Sequence, residues 1–140
     1  MSVPTPASEC RRWLRFAQGD LNLAESLASS TEHPSHLSCY HSQQAAEKSL
    51  KAVLVYVQIA FPFTHDLNAL RDLTPSTWTV RQLHPRLGPL SQWVIAGRYP
   101  GNWPEATDTD ARDAARQARA VWETVLNDLD RHGLDVSAFR

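Results

Sequence analysis

The chain's only two lysines, Lys48 and Lys51, stand three residues apart in a sequence that otherwise draws its cations from twelve arginines. At about 100° per residue, a helix would place both in one arc of about 120° together with Tyr40, His41, Gln44 and Glu47. Ammonium groups hold phosphate as point charges, an amide both donates and accepts, and an aromatic ring stacks on a base. The stripe therefore reads as a site for the phosphate and base of a nucleotide. It also fits the solvated side of an ordinary amphipathic helix, which carries charge for solubility alone.

A second group lies in Arg98-Tyr99-Pro100-Gly101-Asn102-Trp103-Pro104. Two prolines and a glycine within seven residues leave no regular ladder, so this is a loop. It presents a guanidinium that can fork onto phosphate and two rings that can stack on a base. The alternative is that Tyr99 and Trp103 cover the end of the fold while Arg98 pairs with a carboxylate.

The histidines support less. His33, His36 and His41 lack the i,i+4 pair by which a helix holds zinc, and no carboxylate completes a set, so no metal is expected. His65, between Thr64 and Asp66, can cap a helix, pair with Asp66 or touch a ligand. A nucleophile elbow and a glycine-rich phosphate loop are both absent from the sequence, which sets aside those enzyme classes. Arg112, Arg116 and Arg119 share a face with Asp108 and Glu123, a pattern of ion pairs rather than of a basic patch.

Helices must position these groups. Trp13, Phe16, Ala17, Leu21, Ala24, Leu27 and Ala28 recur at helical spacing over residues 5 to 28, with Thr5 as cap and Pro6 in the first turn. Gly19 inside this helix suggests a close crossing with another. Residues 35 to 58 hold no proline or glycine and align Cys39, Ala46, Leu50, Val53, Leu54 and Val57, while Phe61-Pro62-Phe63 bars any extension past Ala60. A short helix capped by Thr64 carries Leu67, Leu70 and Leu73. Residues 74 to 85 read as irregular or weakly helical, and 86 to 96 as one helix with Leu87, Leu90 and Val94 inward, stopped by Gly97. A last helix spans 108 to 132, burying Ala111, Ala115, Ala118, Val121, Val125 and Leu129, and stops at Gly133. Without period-two alternation there is no case for a sheet, so the expected fold is all-α, an antiparallel bundle of four to five helices.

The chain's 140 residues suit one domain, 1–140, and a hydrophobic fraction of 42% with five Trp argues against disorder. No apolar run approaches eighteen residues and the start is not of signal-peptide kind, so a cytoplasmic protein off the membrane is expected. Cys10 and Cys39 read as reduced, partly buried thiols. A net charge of -1 offers no whole-molecule field for nucleic acid. Any anion site must be local, and DNA is not an expected partner. The aromatic load of a thin bundle suggests a homodimer whose interface takes in Trp78, Trp93 or Trp103, with Trp13 and Trp122 on inner faces.

Tyr40, Gln43-Gln44-Ala45-Ala46-Glu47-Lys48, Leu50-Lys51-Ala52, Thr64-His65-Asp66-Leu67 and Arg98-Tyr99-Pro100 ahead of a long final helix resemble the HEPN family (higher eukaryotes and prokaryotes nucleotide-binding); Ala17 and Asp20-Leu21 also fit. The resemblance covers nearly the whole chain. It implies a dimeric helical bundle that needs no cofactor, often encoded beside a minimal nucleotidyltransferase in toxin-antitoxin or stress-response pairs. Many relatives are metal-independent ribonucleases whose signature is an arginine followed after four to six residues by a histidine. None of the twelve arginines stands so before any of the six histidines, the nearest approach being Arg81 and His84. The resemblance thus implies nucleotide or RNA phosphate held by Tyr40, Gln44, Lys48, Lys51, Arg98 and Tyr99. Two readings stay beside it: a ribonuclease with a variant site using His65 or His41 and Arg98, and a structural role in which the chain only dimerises and neutralises a nucleotidyltransferase neighbour.

Overall fold

The structure, a computed structural model, describes residues 3–83 and 86–140. His84 and Pro85, at the end of the stretch read as irregular, lie outside the described residues, as do Met1 and Ser2.

Three long helices form the body: α1 (Pro6–Ala28), α2 (Ser35–Tyr56) and α7 (Asp108–Arg131). Both α1 and α7 open on a capping box. Thr5 Oγ1 accepts from Ser8 N at 3.0 Å while Ser8 Oγ accepts from Thr5 N at 2.8 Å. Thr107 and Asp110 repeat the exchange at 3.0 and 2.9 Å, so four otherwise orphaned donors are satisfied. Both α2 and α7 end on a left-handed residue whose neighbours reach back to the last turn. Gly133 (φ 98°) does this for α7, as its position in the sequence suggests. For α2 the residue is Gln58 (φ 60°), with Ile59 N bonded to Leu54 O at 2.9 Å. The helix therefore stops at Tyr56, before the Phe61-Pro62 barrier is reached.

Between α2 and α7 the described residues form four short helices: α3 (Leu67–Leu73), α4 (Thr79–Leu83), α5 (Gly88–Ser91) and α6 (Trp93–Ala96). They complete an all-helical antiparallel bundle with no strand among the described residues. The cap of α3 is Asp66, whose carboxylate accepts from Asn68 N and Ala69 N at 3.0 and 3.3 Å, and not Thr64, which only turns the chain into it. α4 begins where Asp128, wholly buried on α7, accepts from Thr79 N and Val80 N at 3.2 and 2.8 Å. A carboxylate 48 residues away thus caps a helix that its own segment does not encode. The single helix expected over 86–96 is two, broken at Gln92.

The core gathers Cys10, Leu14, Ala17, Leu21 and Ala24 of α1 against Leu50, Val53 and Leu54 of α2 and Val121, Trp122, Val125 and Leu129 of α7. Two α1 expectations change. Phe16 is 63% exposed because Leu14 occupies the inward position. Gly19 is on the outside, and a methyl there would meet nothing within 4 Å, so it marks no crossing. Cys10 and Cys39 are both free and buried, more deeply than expected, and burial pushes each thiol up to about 12. Neither is poised for thiolate chemistry. Trp78 and Trp93, expected at an interface between chains, are buried at 4% and 8%; Trp78 stacks on His132 at 4.2 Å. The exposed aromatics are Phe16, Phe63, Tyr99 and Trp103. Among the described residues, no helix is long and apolar enough to cross a membrane.

Candidate functional site

The polar stripe of α2 is overlaid by α1 on one side and by the 59–66 connection on the other. It consequently resolves into two compact clusters, each built on one carboxylate. In the first, Asp20 of α1 accepts from Lys48 Nζ at 2.6 Å and meets His41 Nδ1 at 2.9 Å. In the second, Glu47 accepts from Lys51 Nζ at 3.0 Å and from Gln43 Nε2 at 3.1 Å, and meets His65 Nδ1 at 2.8 Å. Gln44 Nε2 donates to Gln43 Oε1 at 2.7 Å, which joins the amides of the two residues.

The clusters differ in depth. Lys51 and Glu47 keep only 8% and 6% of their side chains exposed, and the Lys51 ammonium lies 5.9 Å from the Trp13 ring and 5.6 Å from that of Phe61. Burial pushes the Glu47 carboxyl up, but hydrogen bonds from Lys51, Gln43 and His65, with the Lys51 charge, outweigh it and hold the group below its ordinary value. Lys48 is 23% exposed and its ammonium is 5.9 Å from the Phe16 ring.

An ionised carboxylate only accepts, so each histidine gives it the Nδ1 proton, leaving Nε2 as the free basic nitrogen. Among the described residues no hydrogen bond reaches either Nε2. Two carboxylate-oriented imidazoles able to exchange a proton with a ligand result.

Arg98 lies beyond His41. Its guanidinium carbon is 5.4 Å from the Tyr40 ring and 5.6 Å from that of Tyr99, and Tyr40 in turn meets the His41 ring edge-on at 5.2 Å. Arg98 and His41 thus flank one tyrosine. Among the described residues Arg98 has no carboxylate partner. Gly97 makes this possible. A methyl on it would fall 2.7 Å from Trp93 O, 3.0 Å from His36 O and 3.1 Å from Tyr40 Cβ, so only glycine lets the end of α6 lie against the start of α2.

Arg98 and Tyr99 line a cavity of about 420 Å³ together with Ser35, His36, Trp103 and Glu105. The Trp103 ring lies directly over Gly101, where any methyl would overlap it. The structure therefore joins Arg98, Tyr99 and Tyr40 at one place. Lys48 and Lys51 are held elsewhere along α2, each against its own carboxylate, and Gln44 sits between them. His65 belongs with Glu47 and not with Arg98.

Sequence reasoning missed Asp20, Gln43, His36 and Glu105 as parts of these groupings. The Glu47–Lys51 and Gln43–Glu47 pairs carried a local signal, their i,i+4 spacing. On α7, Arg116 pairs with Asp113 at 3.0 Å and Arg119 with Glu25 and Glu123, the ion-paired face its charge pattern suggests.

The described residues thus form an all-helical bundle with its polar groups strung along the second long helix and the loop before the last. The HEPN domain model matches residues 10–129, and the chain belongs to that family. One relative, of Methanocaldococcus jannaschii, bears the name "Putative toxin MJ1304"; it is 28% identical over 138 residues, spanning 87% of this chain and 90% of that protein. The fold is shared with the crystal structure of TT1696 from Thermus thermophilus, at a TM-score of 0.73 and 23% identity, over 85% of this chain and 97% of that one.

Proposed function

We propose that this HEPN protein is of toxin type and binds a nucleotide or an RNA phosphate, with Arg98 as the anchoring cation. The observation that carries this reading is the Arg98 guanidinium between Tyr40 and Tyr99, without a carboxylate, at a cavity of about 420 Å³. That volume lies in the usual range for small-ligand sites. Lys48, Gln44 and Lys51 extend the site along α2, where they contribute less because the two lysine charges are already compensated. The name of the archaeal relative supports the toxin assignment. Titration with nucleoside triphosphates at low and physiological salt is the test. Saturable binding in the millimolar range or tighter is expected, weakened about tenfold by Arg98→Ala, and no saturation at low salt would remove the reading. A homodimer and a minimal nucleotidyltransferase are the partners of this reading. Co-purification with the product of the neighbouring reading frame, followed by sedimentation, reads both.

A second reading, RNA cleavage without metal, is favoured by the two carboxylate-oriented histidines. A free Nε2 takes the proton of a ribose 2′-hydroxyl, the oxygen attacks phosphorus, and the 5′-oxygen leaves with a proton from a second group while Arg98 holds the phosphate. It predicts RNA cleavage by the purified chain in the presence of a chelator. His41 is the histidine placed with Arg98, both against Tyr40, so cleavage persisting unchanged in a His41→Ala, Arg98→Ala double variant would defeat these roles.

A further inference from the structure

The cavity beside Arg98 holds two opposite charges that do not meet. Glu105 lines it as Arg98 does, yet no ion pair joins the two, and no hydrogen bond reaches the Glu105 carboxylate from any described residue. A ligand that fills such a cavity meets Arg98 with an anion and Glu105 with hydrogen-bond donors. Aromatic rings share the lining. Trp103, 38% exposed, has one face fixed by the Gly101 backbone, and Tyr99 is 55% exposed.

We propose that this cavity takes a guanine nucleotide, with the phosphate at Arg98, the base stacked on Trp103 or Tyr99, and its donor edge at the Glu105 carboxylate. The inference rests on the nucleotide-phosphate reading above and adds the base. A carboxylate has two acceptor oxygens and no donor. Guanine alone among the common bases presents two adjacent donors, N1–H and the N2 amino group, at a spacing that matches them. Adenine and cytosine set one amino group beside a ring nitrogen whose lone pair faces the second carboxylate oxygen. Uracil sets its single N–H between two carbonyls, which the carboxylate repels. Each mismatch sets lone pair against lone pair at the Glu105 carboxylate.

The test is titration of the full chain with GMP, AMP, CMP and UMP, read by tryptophan fluorescence and by calorimetry. GMP is expected to bind about tenfold more tightly than the others, IMP, which lacks the N2 amino group, should fall between GMP and AMP, and Glu105→Gln should bring GMP down to AMP. Glu105 is on an exposed loop, and circular dichroism checks that the variant folds. Equal affinity for all four monophosphates, or a GMP preference that survives Glu105→Gln, overturns the guanine inference and leaves phosphate binding intact. No saturable binding of any nucleotide overturns both. An adenine-rich oligoribonucleotide with one guanine, compared with its all-adenine counterpart, separates the two sources of the base: a guanine preference in the oligonucleotide assigns the site to RNA, and a preference confined to GMP assigns it to the free nucleotide, either result upholding the role of Glu105.

Discussion

Glu47→Ala is expected to destabilise the fold by about 3–5 kcal/mol, because it removes the only anion from a buried pair and leaves the Lys51 ammonium enclosed. The surroundings of Lys51 would then be the Trp13 and Phe61 rings, at 5.9 and 5.6 Å, which offset only part of the desolvation. His65 and Gln43 lose their acceptor at the same time. Urea unfolding followed by circular dichroism gives the number directly. A Glu47→Leu, Lys51→Met pair should recover much of the loss, since two apolar groups leave no orphan charge. A loss below about 1 kcal/mol in the single variant would mean that the pair is solvated in solution. The same carboxylate gives a pH dependence. Its folded pKa is held below the ordinary value of 4.5, so its contribution is fully present above that value and is lost as pH falls through the lower folded one. The urea midpoint of the wild type should therefore fall on acidification below 4.5, and less steeply in Glu47→Gln.

Gly97→Ala should cost about 2–3 kcal/mol, at the upper side of ordinary overpacking, because the atoms met by the new methyl include two backbone carbonyls that cannot rotate away. The cost is not conformational, as Gly97 has φ -84°. Trp93 O belongs to α6 itself and His36 O and Tyr40 Cβ to α2, so the new methyl distorts the last turn of α6 and pushes it off α2, which carries Arg98 away from Tyr40. Nucleotide affinity should therefore fall at least as far as in Arg98→Ala, although no binding group has been removed. Stability and affinity both unchanged would show that the two helices are not held at this distance.

Much of the frame was legible in the residues. The starts of α1 and α2 follow from Thr5 and the uninterrupted run after Pro34, that of α7 falls at Asp108 as expected, and their ends lie within two residues of expectation, because caps and apolar period are local properties. What was not legible depends on distant partners. α4 owes its cap to Asp128, and no feature of residues 74 to 83 announces that. The helix expected over 86–96 breaks at Gln92 although Pro89 sits harmlessly in a first turn; both halves pack on α2, and the first also packs on α3 and α7. On α2 the spacing put Tyr40, His41, Gln44, Glu47, Lys48 and Lys51 in one arc, which the structure divides among Arg98, Asp20 and Glu47. It did not reveal that Asp20 and His65 would close over the stripe and that both lysines would be neutralised, because a helical wheel carries no information about what lies above it. Arg98 and Tyr99 were identified from composition, whereas His36 and Glu105 joined them only through the fold.

The pairing of Lys48 with Asp20 and of Lys51 with Glu47 also decides how this protein meets amine-directed chemistry. Acylating enzymes, ubiquitin-type conjugation and amine-reactive cross-linkers all require an accessible, deprotonated side-chain amine. Here the whole supply is two side chains, each tied into an ion pair with a carboxylate, one of them 8% exposed. The folded chain is thus nearly silent to lysine modification, and any labelling that does occur at Lys51 reports local opening of α2 against α1 rather than surface reactivity.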